Sequence, residues 1–394
     1  MEKLMHSLYK EALELFDYSQ AIRRDFHQHP EIGFQEVRTA GVVAKELNEL
    51  GLEVATGIAK TGVVAVLEGA KPGPVVLLRF DMDALPIEEE TGAEYASQNP
   101  GVMHACGHDG HMAIGLTTAK LLQEHRDKLA GTVKFVFQPA EEGLGGAELM
   151  IEEGVLQNPK PDYSLALHLV NSVPLGVIGV SGEEVMAAAK AFKIVVEGVG
   201  GHGALPNLTV DPVAAAAHII TAVQTIVSRN VNPLEAGVVS FGLLRAGHAF
   251  NVIPSTVVME GTMRSYKPEV ESLLLTRLEE IVKGVAQSLG CQATFELTDV
   301  TPAVYNTPAV AERLQGITQA VLPEDQLDKD LRMMWSEDMA FMMQDAQSCY
   351  FFVGSMNEEA GLKYGHHHPK FDFDEQAMPR GAALMAAAAI DLLK

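Results

Sequence analysis

Four residues able to hold a metal ion crowd into the stretch MHACGHDGH, which carries His104, Cys106, His108 and His111. Cys106 and His108 stand two apart, a spacing that faces both the same way on an extended segment. A thiolate beside an imidazole suits a borderline dication such as zinc, and a site richer in histidine and carboxylate also accepts manganese, cobalt or nickel. A lone cysteine is ordinarily a small buried hydrophobe; the histidines around Cys106 reverse that reading. In FQPAEEG, Glu141 and Glu142 follow a strand and a proline. Adjacent side chains diverge, so one could ligate a metal while its neighbour takes a proton from water and passes it to a leaving amine. His168 in ALHLV would, alone, be a core histidine, and the run His366, His367 and His368 would, alone, be a solvated loop. Together they complete a Cys, Glu and His set large enough for two dications. One thiolate and one ligating carboxylate offset only part of that charge, which leaves room for hydroxide and an anionic substrate group.

Further candidates surround these. In RFDMDALP, Asp81 and Asp83 end a strand at period-two spacing. They read either as carboxylates that accept the second N–H of metal-bound imidazoles or as ordinary loop-start aspartates. His202 lies among glycines in GVGGHGALPN and Asn251 in AFNVIP; either could hydrogen-bond a developing oxyanion, and either could be part of a plain turn. Arg264 is a candidate partner for a substrate carboxylate. His218, the RMMW stretch, Ser336, Glu337 and Asp338 read as core or helix-start residues.

The elements that must position these residues alternate between strand and helix. Helical periodicity runs from about Ser7 to His27, where Pro30 follows, and again near Gln35 to Leu50. Strands VVAVLEG and PVVLLRFDM, a helix from about His111 to Glu124, strand TVKFVFQ, a short helix from Gly146 to Glu153 and strand SLALHLV follow. Such alternation predicts a mostly parallel, helix-covered sheet with its site at the carboxyl ends of strands. Between about Glu184 and Asp299 the order becomes βαββαβ, a ferredoxin-like unit inserted into the larger domain. Its first helix starts at Asp211 as N-cap and Pro212 as first helical residue. Helix Thr307 to Val321, strand CYFFVG and an alanine-rich helix from about Glu375 close the chain. The expected domains are residues 1–183 and 300–394 for the catalytic part and 184–299 for the insert.

At 394 residues the chain exceeds one ordinary core. The excess of 52 acidic over 29 basic residues, a formal charge of -23, disfavours nucleic acid and anionic membrane surfaces as partners. No apolar run reaches the roughly 18 residues a membrane span requires. Three scattered cysteines do not form a disulfide framework and suit a reducing cytoplasm, and the N-terminal stretch shows no export signal.

HQHPEIGFQE, LRFDMDALPIEE, MHACGHDGHMA, FQPAEEGLGGAELM, ALHL, GGHGALP, FNVIP, SEDMAFM and HHPKFDFDE, in that order, closely resemble the amidohydrolase branch of the aminoacylase, acetylornithine deacetylase and glutamate carboxypeptidase superfamily. The match runs from about His27 to Glu375. It implies an α/β, two-metal aminopeptidase-like catalytic domain with an inserted ferredoxin-like lid that often serves dimerisation, and so a homodimer or higher homo-oligomer. It implies metal ligands at Cys106, His108, Glu142, His168 and His367, a general base at Glu141, and a tetrahedral-intermediate contact from His202, supplied in relatives by the dimer partner. Asn251 corresponds to a substrate-contacting asparagine. The expected reaction is metal-dependent hydrolysis of an N-acyl-amino acid, of acetyl, benzoyl or indole-acetyl type, with zinc or manganese as metal and cobalt or nickel as substitutes. A carboxypeptidase or dipeptidase of the same superfamily is the first rival, and a non-catalytic binding protein the second; a base beside the ligands disfavours the latter.

Overall fold

The structure, a computed structural model, describes residues 2–394 and comprises two compact units: residues 2–185 with Tyr305–Arg332 and Asp338–Lys394, and Met186–Val304 with Met333–Glu337. Among the described residues no helix is long and apolar enough to cross a membrane.

The first unit is built on an eight-stranded mixed sheet. Its order is Glu53–Ile58, Gly62–Glu68, Ala130–Gln138, Lys71–Asp81, Tyr163–Pro174, Gln347–Met356, Val177–Gly179 and Gln326–Asp328. The four strands from Ala130–Gln138 to Gln347–Met356 run parallel, and the first two strands form an antiparallel hairpin at one edge. Parallel strands covered on both faces read as continuous apolar runs rather than alternating ones, and Ser348 to Ser355 is buried throughout. Helix Ala377–Leu392 owes its alanines to this covering role, being buried along almost its whole length. It lies so close to helix His108–Glu124 that a Cβ on Gly381 would sit 2.9 Å from Ile114.

Two expectations about this unit need correction. The periodicity over Ser7 to His27 belongs to two helices, Glu2–Glu14 and Phe16–Gln28, separated at Leu15. No proline or glycine marks the break. Both faces that the break separates are buried, through Leu8 and Ala12 on one helix and Ile22 and Phe26 on the other. The helix expected from His111 begins at His108, because Gly107 with φ of 89° turns the chain into it.

Lys134 is an unusual member of a central strand. It is 2% exposed, and its ammonium donates to the carbonyls of Val155 and Gln157 at 2.7 Å each and of Pro159 at 3.0 Å. Lys134→Met keeps the apolar stem and leaves those acceptors without their donor. The expected loss is about 3 kcal/mol of stability, read as a lower urea midpoint at an unchanged m value; a midpoint within error of the parent would remove Lys134 from the account.

The second unit has a four-stranded antiparallel sheet ordered Gly237–Ala246, Thr256–Ser265, Ala188–Glu197 and Gln292–Thr301. With helices Pro212–Arg229 and Pro268–Ser288 it makes the βαββαβ sequence. Asp211 caps the first helix, its Oδ1 accepting from the N–H of Val213 at 2.9 Å and of Ala214 at 3.3 Å. His218, expected as a core or helix-start residue, is exposed in the middle of its helix. The buried stripe of its helix is Ala215, Ala216, Ile219, Val223 and Ile226, and position 218 falls off that stripe.

Candidate functional site: a cluster of metal-binding side chains

A strand interior, two strand ends and a helix start of the first unit bring the candidate residues together. Strand Lys71–Asp81 runs out at Asp81 and continues to Asp83; strand Ala130–Gln138 leads to Glu141 and Glu142; His168 sits within Tyr163–Pro174; and Cys106 and His108 flank the start of helix His108–Glu124. Potential ligand atoms of Cys106, His108 and His168 lie within 4.8 Å of one another, as do those of Cys106, Glu142 and His367, and those of His108, Glu141 and Glu142. These three overlapping groups comprise six residues.

The backbone is bent to reach it. Left-handed φ values occur at Gly107 between Cys106 and His108 (89°), at Ala140 just before Glu141 (55°) and at His367 itself (63°). For non-glycine residues this conformation costs roughly 1 kcal/mol or more and persists only where surroundings enforce it. The His367 N–H donates to the Ala105 carbonyl at 2.8 Å. Ala140 is held through its N–H by Glu36 Oε1 at 2.9 Å, and the same buried carboxylate accepts from Thr61 Oγ1 at 2.6 Å. Helix His108–Glu124 also passes very near the strand carrying His168: a Cβ on Gly110 would lie 2.6 Å from Leu169 and 2.6 Å from Phe373.

Hydrogen bonds sort the histidines. His108 contacts the Asp83 carbonyl through Nδ1 at 2.8 Å, while its Nε2, fully buried, has no hydrogen-bond partner. A buried imidazole nitrogen without a hydrogen bond, on a ring grouped with a thiol and carboxylates, suits a metal ion. Burial opposes charge on this ring, but Asp81 and Asp83 outweigh it and push its pKa up to about 10. His111 uses both nitrogens: Nδ1 meets Asp81 Oδ1 at 2.6 Å and Nε2 accepts the Leu169 N–H at 3.0 Å. It therefore ties Asp81 to the His168 strand. Burial pushes the Cys106 thiol well above its usual range, with Glu142, Glu141 and Asp81 adding to the effect; its Sγ lies 3.6 Å from His168 Nε2.

The three consecutive histidines have separate environments. His366 Nε2 accepts the Asn171 N–H at 3.1 Å, and burial drives its pKa down to about 3. His368 Nδ1 accepts the Lys370 N–H at 3.0 Å and its ring stacks on Tyr364. His367 points its Nε2 at Glu142 Oε1, 3.2 Å away. His104 is buried beside His27 and belongs to none of the clustered groups.

Asp81 and Asp83 differ in their work. Asp83 contacts His108 and accepts the Glu142 N–H on Oδ2 at 3.0 Å. Asp81 serves His111 and binds Arg79 Nη1 at 2.7 Å. Arg79, wholly buried, extends from there to Gln138 and Asp338. Asp338 immediately precedes helix Met339–Met342, but its carboxylate does not cap that helix and instead takes Arg79, the Gln138 amide and the Ala147 N–H. Asp338, read as a core or helix-start residue, is both buried and at a helix start, but its side chain serves a buried ionic contact rather than a cap.

In the second unit His202 and Asn251 are neighbours on a two-stranded ribbon, Gly201–His202 against Val252–Ile253, and both are exposed. The Asn251 carbonyl accepts the Gly203 N–H at 2.8 Å. His202 Nδ1 accepts the Ala204 N–H at 3.1 Å, which places the ring proton on Nε2. Arg264 directs its guanidinium to Thr262 Oγ1 and the Met263 carbonyl.

A mixed α/β sheet whose parallel strands carry a cluster of thiol, imidazole and carboxylate donors describes a metallohydrolase. Residues 77–391 match peptidase family M20/M25/M40, and the chain belongs to that family. Bacillus subtilis (strain 168) YhaA, which bears an amidohydrolase name, is 42% identical over 95% of this chain and 94% of its own. Thermostable carboxypeptidase 1 of Saccharolobus solfataricus is 38% identical over 98% of each chain, and N-acetylcysteine deacetylase of B. subtilis 37% over 95% and 96%. Among solved structures, a dinuclear metal-binding M20 peptidase of B. subtilis superposes with a TM-score of 0.84 at 33% identity, covering 96% of this chain and 99% of that one.

Proposed function

We propose that this chain is a metal-dependent amidohydrolase that cleaves the amide of N-acyl-amino acids to a carboxylate and a free amino acid. The observation that carries the reading is Glu141, a carboxylate grouped with the ligand candidates Glu142 and His108 just beyond a strand end. In this assignment Cys106, His108, Glu142, His168 and His367 hold two divalent ions, zinc or manganese, with cobalt or nickel as substitutes. The orphaned His108 Nε2 and the mixed thiol, imidazole and carboxylate donors suit such ions. Bound dications lower the pKa of water and polarise an amide carbonyl. Glu141 accepts the proton of the attacking water and delivers it to the leaving nitrogen. His202, its Nε2 proton directed away from the Ala204 contact, donates to the developing oxyanion from a second copy of the chain in a homodimer, and Asn251 beside it contacts substrate. Three buried, unpaired thiols suit a cytoplasmic setting.

A carboxypeptidase reading has its own support in the 38% identical carboxypeptidase relative. The two part on the acyl side. Release of free amino acid from N-acetyl, N-benzoyl and indole-acetyl amino acids, assayed beside dipeptides, is expected to favour the simple acyl substrates in kcat/KM by at least tenfold. A preference of that size for dipeptides would replace the proposal with the peptidase reading.

A further inference from the structure

Behind the cluster lies a second set of charges that takes no part in the chemistry described above. Arg23, on helix Phe16–Gln28, is fully buried and reaches three carboxylates: Asp109 through Nε at 2.7 Å, Asp372 through Nη2 at 2.8 Å and Glu375 through Nη1 at 3.2 Å. Its guanidinium lies 4.9 Å from the centre of the Tyr95 ring and 4.4 Å from that of Phe373, so its plane is held as well as its charge. Tyr95 in turn donates to Asp372 Oδ2 at 2.7 Å.

The carboxylates are spread over the segments that carry the ligand candidates. Asp109 directly follows His108 at the helix start, and Asp372 lies a few residues beyond His367. The connection continues to the third segment. Asn171, on the strand of His168, donates through Nδ2 to the carbonyls of Asp372 and Tyr364, both at 2.8 Å, and through its N–H to His366. His27, one turn along from Arg23, shares Asp109 through Nδ1 at 2.8 Å.

We propose that Arg23 is a positioning residue for the metal centre: by engaging Asp109 and Asp372 together it fixes the His108 helix start against the His367 segment and, through Asn171, against the His168 strand. The inference rests on the reading of these histidines as metal ligands. A planar guanidinium can serve divergent carboxylates at once in fixed geometry, and an ammonium cannot. Arg23→Lys keeps the positive charge and loses the fork. Asp372→Asn keeps the shape, the main-chain contacts to Asn171 and most of the remaining ion pairs.

The test is titration of chelated, full-length protein with Mn2+ against a fluorescent chelator, run beside thermal unfolding and circular dichroism. Groups supporting ligands from behind typically change affinity by about 10- to 100-fold when altered, and a loss in that range is expected for Arg23→Lys, with a smaller one in the same direction for Asp372→Asn. Parental Mn2+ affinity in folded variants whose melting temperature alone has dropped would overturn the proposal, since it would make Arg23 a purely structural residue. If Arg23→Lys does not fold, Asp372→Asn decides alone by the same criterion. Absence of both Mn2+ and Zn2+ binding by the parent would instead overturn the underlying metal assignment, so the two failures are distinguishable.

Discussion

Glu141→Gln is expected to reduce kcat by about 10^3-fold or more while the protein still binds its full complement of metal. The reason lies in the division of labour between two adjacent carboxylates. Glu142 is tied into the cluster by His367 at 3.2 Å and by its own N–H to Asp83. Glu141 groups with His108 and Glu142 and also with Asp338. Glutamine has the shape of glutamate but cannot accept a proton from water near neutral pH, so the substitution removes the transfer and leaves the fold and the other donors alone. Metal content measured by atomic emission on the same sample separates this outcome from simple loss of the ions. Turnover within a few-fold of the parent would remove Glu141 from the mechanism and return the non-catalytic reading to consideration.

Cys106→Ala is expected to have the next largest effect, lowering metal affinity by at least 100-fold and abolishing hydrolysis at micromolar metal. Cys106 is common to two of the clustered groups, with His108 and His168 on one side and Glu142 and His367 on the other. Its loss therefore weakens both ends of the cluster. It also removes the one candidate thiolate, the donor most able to offset the charge of the ions. Binding is read by competition with a chelator and the fold by circular dichroism. A Cys106→Ala protein that binds two ions as tightly as the parent would show that the thiol is only a buried hydrophobe.

Most of the cluster was legible in the sequence because its members lie in short motifs at strand ends, where an α/β sheet collects its functional side chains. The local geometry was less so. The two-residue spacing of Cys106 and His108 suggests an extended segment, but Gly107 takes a left-handed turn and His108 opens a helix. The three consecutive histidines are indistinguishable as letters. What separates them is the Asn171 N–H on His366 and the Lys370 N–H on His368, the first of which depends on a strand 195 positions away. Distance in sequence hid the supporting residues for the same reason. Arg23 meets Asp372 across 349 positions, and Arg79 meets Asp338 across 259. Asp211 and Asp338 make the point side by side. Both precede helices; the first caps its helix near solvent, and the second is drawn off by a buried arginine that no local pattern announces.

The close packing around the site rests on glycine positions that sequence reading does not single out. Gly110 and Gly381 are small because two helices approach the sheet and each other closely, and that approach is what places the His108 helix start beside the His168 strand. The positive φ values at Ala140 and His367 have no signature in residue type at all. Backbone strain at these points follows from the supports at Glu36 and Ala105.

The central claim is that hydrolysis depends on metal held by this cluster. The most direct measurement is release of amino acid from an N-acyl-amino acid by chelated protein as Mn2+ or Zn2+ is returned in known amounts. The account predicts negligible release from the chelated protein and recovery that follows the ions bound, up to two per chain. Undiminished hydrolysis by protein shown to be free of metal, or none by folded protein carrying both ions, would contradict it.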